Sequence, residues 1–164
     1  MMMDIKRGIL LIDDDPSVQH SIADALKDQK LSVHSALDGQ QGLWMAQRES
    51  VDLILLDLGL PEIDGFTVLS RLKEDVLTRH IPVIVLTAWA GTEEKVRAFN
   101  IGATDYVTKP FEIAELRARV ASTLRTKMLQ DELTRTNAEL AAARSMTESA
   151  MTVRSQFLAN MSHE

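Results

Sequence analysis

Every glycine and every proline of this 164-residue chain lies at or before Pro110. Seven glycines and four prolines break up the first part, whereas the 54 residues from Phe111 to Glu164 contain neither. These two residue types are the strongest local breakers of regular structure. The chain must therefore fold as two differently built parts, one interrupted by frequent turns and one able to run as continuous helix. Charge divides in the same way: residues 1–123 carry 19 acidic and 13 basic side chains, and residues 124–164 carry five of each. Neither part has the basic excess that a nucleic-acid-binding face requires, so no nucleic-acid partner is expected. The absence of cysteine excludes disulfides and thiolate metal sites and fits a cytoplasmic protein. No apolar run reaches the roughly 18 residues of a membrane span, and the short run in "MMMDIKRGILLIDDD" does not make a signal peptide.

The interrupted part reads as strands alternating with helices. Five short segments bounded by turn residues are predicted strands: residues 8–13, 31–36, 52–57, 82–87 and 104–108. The first, third and fourth are almost wholly apolar, as strands covered on both faces must be. Between them lie four helical patterns. Residues 16–29 follow an Asp15 cap with Pro16 in the first helical position, and residues 39–48 follow Asp38. Residues 64–77 carry Phe66, Leu69, Leu72 and Val76, and residues 92–100 follow Thr92 with Val96 and Phe99 facing inward. A fifth helix starts near Glu112. Such alternation predicts an α/β fold, a doubly wound five-stranded parallel sheet of order 2-1-3-4-5, with the fifth helix extended at its C-terminal end.

In an open parallel sheet, ligands bind outside the carboxyl ends of the strands. Those ends carry Asp13-Asp14-Asp15, Asp57, Thr87 and Lys109. Three carboxylates from Asp13, Asp14 and Asp57 against one lysine leave an excess of two negative charges, which a divalent cation balances. Hard oxygen donors without histidine or cysteine favour Mg²⁺ or Mn²⁺ over zinc. An aspartate beside such a cation is suited to accept a phosphoryl group as an acyl phosphate. Asp57 ends an apolar strand, where a carboxylate contributes nothing to packing. Phosphatases of the haloacid-dehalogenase type use a strand-end aspartate but need a second one two residues later, where this chain has Gly59.

The stretches "ILLIDDDP", "LILLDLGLPEIDG", "PVIVLTA" and "GATDYVTKPF" resemble, in order and spacing, the signatures of response-regulator receiver domains. The resemblance covers residues 8–123 and implies a role for each matching residue. Asp57 would be the phosphoacceptor. Asp14 would bind Mg²⁺ directly, Asp13 mostly through water, and the Gly59 carbonyl would be a further ligand. Lys109 would contact the phosphoryl oxygens, and its peptide bond to Pro110 would be cis. Thr87 would move towards the phosphoryl group, and Tyr106 would swing inward behind it. Gly59 and Trp89 flank this position, and their unusual sizes suggest that Trp89 shields the acyl phosphate while Gly59 leaves an opening.

From Glu112 onward good helix formers dominate, enough for a rod of about 80 Å at 1.5 Å per residue. Leu133, Leu140, Thr147, Arg154 and Met161 fall on one heptad position, and Leu129, Thr136, Ala143, Ala150 and Phe157 on the complementary one. The seam is apolar at both ends and weak between them, which predicts a parallel homodimeric coiled coil with a slip or stutter in its middle. The final "RSQFLANMSHE" resembles the opening of the H-box of sensor histidine kinases. There His163 corresponds to the phosphoacceptor histidine and Glu164 to its acidic neighbour.

These resemblances suggest a receiver over residues 1–123, a signalling helix over 124–155 and the start of an H-box over 156–164. They are the pieces expected of a hybrid histidine kinase, with no ATP-binding domain in the sequence. The expected partner is a phosphohistidine donor. The alternatives are a stand-alone response regulator and a dimerising interaction module.

Overall fold

The computed structural model describes residues 6–27 and 30–162. The chain divides into two compact units, one ending at Leu124 and the other beginning at Arg125. In the first unit, β1 (Arg7–Ile12), α1 (Pro16–Leu26), β2 (Leu31–Ala36), α2 (Gly39–Arg48) and β3 (Leu53–Asp57) are followed by α3 (Gly65–Glu74), β4 (Val83–Thr87), α4 (Thr92–Ile101) and β5 (Asp105–Thr108). The helix α5 runs Ile113–Met161. All strand pairings are parallel, and the order is β2-β1-β3-β4-β5. Among the described residues, no helix is long and apolar enough to cross a membrane.

The period of two along each strand separates two cores. Leu10, Ile12, Ile54, Leu56, Val83 and Val85 face one side, where Phe66, Val68, Leu69 and Leu72 of α3 cover them. Ile9, Leu11, Leu53, Leu55, Ile84 and Leu86 face the other, against Ile22 and Leu26 of α1 and Leu116, Val120 and Leu124 of α5. This explains why the central strands read as unbroken apolar runs: every residue of β3 and β4 is buried. The helices begin where their caps allow. Asp15 Oδ1 accepts the Ser17 N–H at 2.9 Å, Asp38 Oδ1 accepts that of Gln41 at 2.7 Å, and Asp64 Oδ1 accepts that of Thr67 at 3.0 Å.

Three local expectations are corrected. The cap of α4 is Gly91, which offers no side-chain hydrogen bond, and Thr92 is already helical. Val96 and Phe99 are exposed, at 50% and 43%, and Ala98 is the buried residue of that helix. An apolar side chain on a short helix is not necessarily inward, and here the smallest residue makes the close contact. Val76 is exposed because α3 ends at Glu74, two residues before it.

Gly65 is what allows α3 to start so near the end of β3. A Cβ there would collide with Leu58 Cα and the Asp57 carbonyl oxygen, and the Gly65 N–H donates to Leu58 O at 3.1 Å. Gly65→Ala is expected to lower the unfolding free energy by about 1–3 kcal/mol, the usual cost of overpacking. Urea titration followed by circular dichroism measures it, and an unchanged midpoint would contradict this close approach.

Candidate functional site

Four neighbouring strands deliver the polar side chains. Asp13 follows β1, Asp57 ends β3, Thr87 ends β4 and Lys109 follows β5. Backbone hydrogen bonds continue past the strand ends and fix these positions: Asp13 N–H to Ala36 O at 3.1 Å, Leu58 N–H to Leu86 O at 3.0 Å, and Lys109 N–H to Thr87 O at 2.7 Å. The Lys109–Pro110 peptide is cis.

Carboxylate oxygens of Asp13, Asp14 and Asp57 all lie within 4.8 Å of one another. Asp13 is fully buried and Asp57 is 7% exposed, while Asp14 faces solvent. Two buried carboxylates need compensation. Lys109 Nζ lies 2.9 Å from Asp13 Oδ2 and 3.2 Å from Asp57 Oδ2. Burial acts to lower the Lys109 pKa, but its hydrogen bond to Asp13 and the Asp57 charge outweigh burial and hold it above the ordinary value. The other Asp13 oxygen, Oδ1, accepts the Asp15 N–H at 2.9 Å. Asp57 Oδ1 accepts the Gly59 N–H at 3.0 Å. With three converging oxygen donors and one lysine, the cluster retains two negative charges, and its donor chemistry fits a hard divalent cation.

Beside the carboxylates is a cavity of about 230 Å³ lined by Asp57, Gly59, Thr87, Ala88, Trp89 and Lys109. Thr87 is buried, and its Oγ1 accepts the Trp89 N–H at 3.0 Å. A Cβ on Gly59 would meet only Asp57 Oδ1, at an ordinary 3.6 Å. The structure thus brings Asp13, Asp14, Asp57, Gly59, Thr87 and Lys109 together. Tyr106 is half-buried and turned to α4: its ring meets Phe99 edge-on at 5.7 Å, and Lys95 Nζ lies 4.3 Å from its centre. His163 lies outside the described residues.

Sequence reasoning missed several supporting side chains. Gln19 Nε2 donates to the carbonyl oxygens of Asp13 at 2.8 Å and Ala36 at 2.9 Å, tying α1 to the ends of β1 and β2. Its position in the second turn of α1, four residues after the Asp15 cap, was the available signal. Phe66 stacks on Trp89, and Arg97 lies over Phe66. No spacing rule links those three residues.

The sheet order and its acidic carboxyl edge define a flavodoxin-like α/β domain with a cation-binding type of site. Residues 9–121 match the family described as the response regulator receiver domain, and the chain belongs to that family. It is therefore a receiver of two-component signalling. It is 45% identical over 117 residues to the DNA-binding dual master transcriptional regulator RpaA of Synechocystis sp.. That match covers 71% of this chain but only 48% of RpaA, so the chain spans about half the length of that relative. Among solved structures, it is similar to a CheY-like receiver protein from Methanospirillum hungatei, with 26% identity and a TM-score of 0.72, covering 77% of this chain and 99% of that one. It is also similar to the receiver domain of a sensor histidine kinase from Pseudomonas aeruginosa, solved with a magnesium ion coordinated in its active-site cleft. Here the identity is 32% and the TM-score 0.67, covering 73% of this chain and 98% of that one.

Lys109 contributes stability while it is protonated. Its raised pKa means that this contribution is complete below the ordinary value of 10.5 and is lost as pH rises through the folded-state value. At neutral pH, Lys109→Met should cost about 1–3 kcal/mol, because Asp13 and Asp57 lose their shared cation. Urea unfolding in EDTA measures this, and a variant as stable as the parent would show that the carboxylates do not depend on Lys109.

Proposed function

We propose that residues 1–123 form a phosphoacceptor switch in which Asp57 takes a phosphoryl group from a phosphohistidine. The observation that carries this reading is the approach of three carboxylates to within 4.8 Å, with Lys109 bridging two of them. In the transfer, an Asp57 oxygen attacks phosphorus, the P–N bond breaks, and its electron pair returns to the donor imidazole. Asp13, Asp14, Asp57 and the Gly59 carbonyl would hold magnesium or manganese, which supplies positive charge for the phosphoryl oxygens when bound. Both Asp13 oxygens already have protein partners, which suits a role through water, whereas the exposed Asp14 suits direct ligation. Lys109 donates to the transferred group. The Thr87 hydroxyl turns towards it, and Tyr106 moves in behind.

Incubation with acetyl phosphate and Mg²⁺ should add one phosphoryl group, seen by intact mass. Asp57→Asn and EDTA should each abolish the addition. Labelling that persists in Asp57→Asn would refute the assignment.

The output in this reading is α5. From Arg125 the helix carries large exposed apolar side chains: Leu129, Leu133, Leu140, Met146, Val153 and Phe157 are each 60–74% exposed. They follow steps of three and four residues if Thr136, Ala143 and Ala150 fill the gaps. Two consecutive three-residue steps, Leu140 to Ala143 to Met146, replace Thr147 and Arg154 of the strict heptad. Such a stammer locally overwinds a coiled coil. A second copy of the chain is the proposed occupant of this stripe, since residues 124–164 have balanced charge and an apolar stripe of this kind marks an interface. Residues 124–155 would then be a signalling coiled coil and 156–164 the beginning of a kinase H-box with His163 as its phosphoacceptor. Phosphorylation at Asp57 would bias the pairing of the helices. The protein would act in the cytoplasm.

A second reading is favoured by the name of the relative RpaA, a transcriptional regulator: a response regulator whose helix serves another output. Sedimentation tests the element common to both. Wild type should be a dimer at micromolar concentration and Leu140→Asp a monomer. A monomeric wild type would remove the coiled coil.

A further inference from the structure

Trp89 lines the cavity beside Asp57, yet the residue remains 46% exposed. An aromatic ring half in water needs neighbours to keep it in one orientation. Its backbone N–H is fixed by Thr87 Oγ1, but that bond does not orient the ring. Phe66 does: the two rings are parallel to within 5°, with centroids 6.5 Å apart. Phe66 is the second residue of α3 and is itself buried. Beyond it, the guanidinium carbon of Arg97 on α4 lies 4.1 Å from the Phe66 ring centre. Indole, phenyl ring and guanidinium thus form a chain of contacts from the phosphoryl-side cavity to α4.

We infer that Phe66 and Arg97 are positioning residues that hold Trp89 as a shutter over Asp57 and so set the lifetime of its acyl phosphate. The inference rests on the phosphoacceptor reading. In the hydrolysis it governs, a water oxygen attacks phosphorus and the bond from phosphorus to the Asp57 oxygen breaks. The carboxylate is restored, and inorganic phosphate leaves with the oxygen of that water. Arg97 touches none of the reacting atoms. It acts by stiffening the stack, since a cation over an aromatic face favours the ordered arrangement.

Arg97 has another neighbour to be separated from this role. The Asp64 pKa is lowered, first by the Thr67 backbone hydrogen bond and in smaller part by the Arg97 charge. Asp64→Asn keeps a capping side chain and removes its charge, so it tests whether that pair is what matters.

The only other tryptophan is Trp44 on α2, beside Arg48 at 4.6 Å. In a Trp44→Phe background, Trp89 is the sole indole, and acrylamide quenching reads its accessibility without any phosphorylation. The expected result is a higher quenching constant in Arg97→Ala and Phe66→Leu. The Asp57 phosphoryl half-life after removal of acetyl phosphate should be shorter by about two- to fivefold. Arg97→Lys and Asp64→Asn should stay near the parent in both readouts. Because Arg97 is exposed, Arg97→Ala should fold normally, and an unchanged unfolding midpoint separates positioning from global loosening. Quenching unmoved by Arg97→Ala, or a half-life unmoved when quenching rises, would overturn the inference. So would Asp64→Asn reproducing the Arg97→Ala result. A parent protein that takes no phosphoryl group would instead refute the phosphoacceptor reading itself, and the quenching result would still report what orients the indole.

Discussion

Asp13 and Asp57 carry carboxylates into the edge of a hydrophobic sheet, and Lys109 Nζ, 2.9 Å from one and 3.2 Å from the other, is the cation that makes this tolerable. Much of the first unit serves that contact. Lys109 is reached only after the chain has completed β5, and β5 is aligned by its register with β4, Thr87 opposite Thr108. Asp57 is in place because Gly65 lets α3 turn back tightly against its carbonyl. Asp13 is in place because the Asp15 N–H binds its second oxygen and Gln19 its carbonyl. Three carboxylates against one lysine give a formal excess of two negative charges at the carboxyl edge, where an open parallel sheet binds its ligands.

The fold was legible because its pattern is redundant. Alternating apolar runs and turn residues specified five strands and their order, and Asp15 and Asp38 marked two helix starts at the positions observed. The site was legible for a related reason. Asp57, Thr87 and Lys109 are polar residues at the ends of apolar strands, where packing alone would not put them. Legibility failed where contact depends on tertiary geometry. Val96 and Phe99 have helical spacing, yet α4 buries Ala98 instead. Phe66 read only as one apolar position of its helix and Arg97 carried no signal of its own, and only the packing of α3 beside α4 joins them to Trp89.

The helix α5 shows the same division within one element. Leu116, Val120 and Leu124 are buried in the first unit, and this packing removes the nucleation barrier that limits isolated helices. From Arg125 onward, helix propensity and pairs such as Lys127–Asp131 at 2.9 Å and Arg144–Glu148 at 3.1 Å remain. Such i,i+4 pairs along a helix each contribute only a few tenths of a kcal/mol. The large apolar residues beyond Leu124 therefore have no core of their own to stabilise.

Gly59 borders the reaction cavity, but the structure does not need it to be glycine. Its φ is not among the positive values, and a Cβ would find ordinary contact distance. A side chain there would restrict the unfolded chain and so would not weaken folding. The width of the cavity at this position and the stability of the fold are thus separable. A lineage carrying this domain could reshape the cavity beside Asp57 by drift at a single codon, without first acquiring a compensating mutation elsewhere.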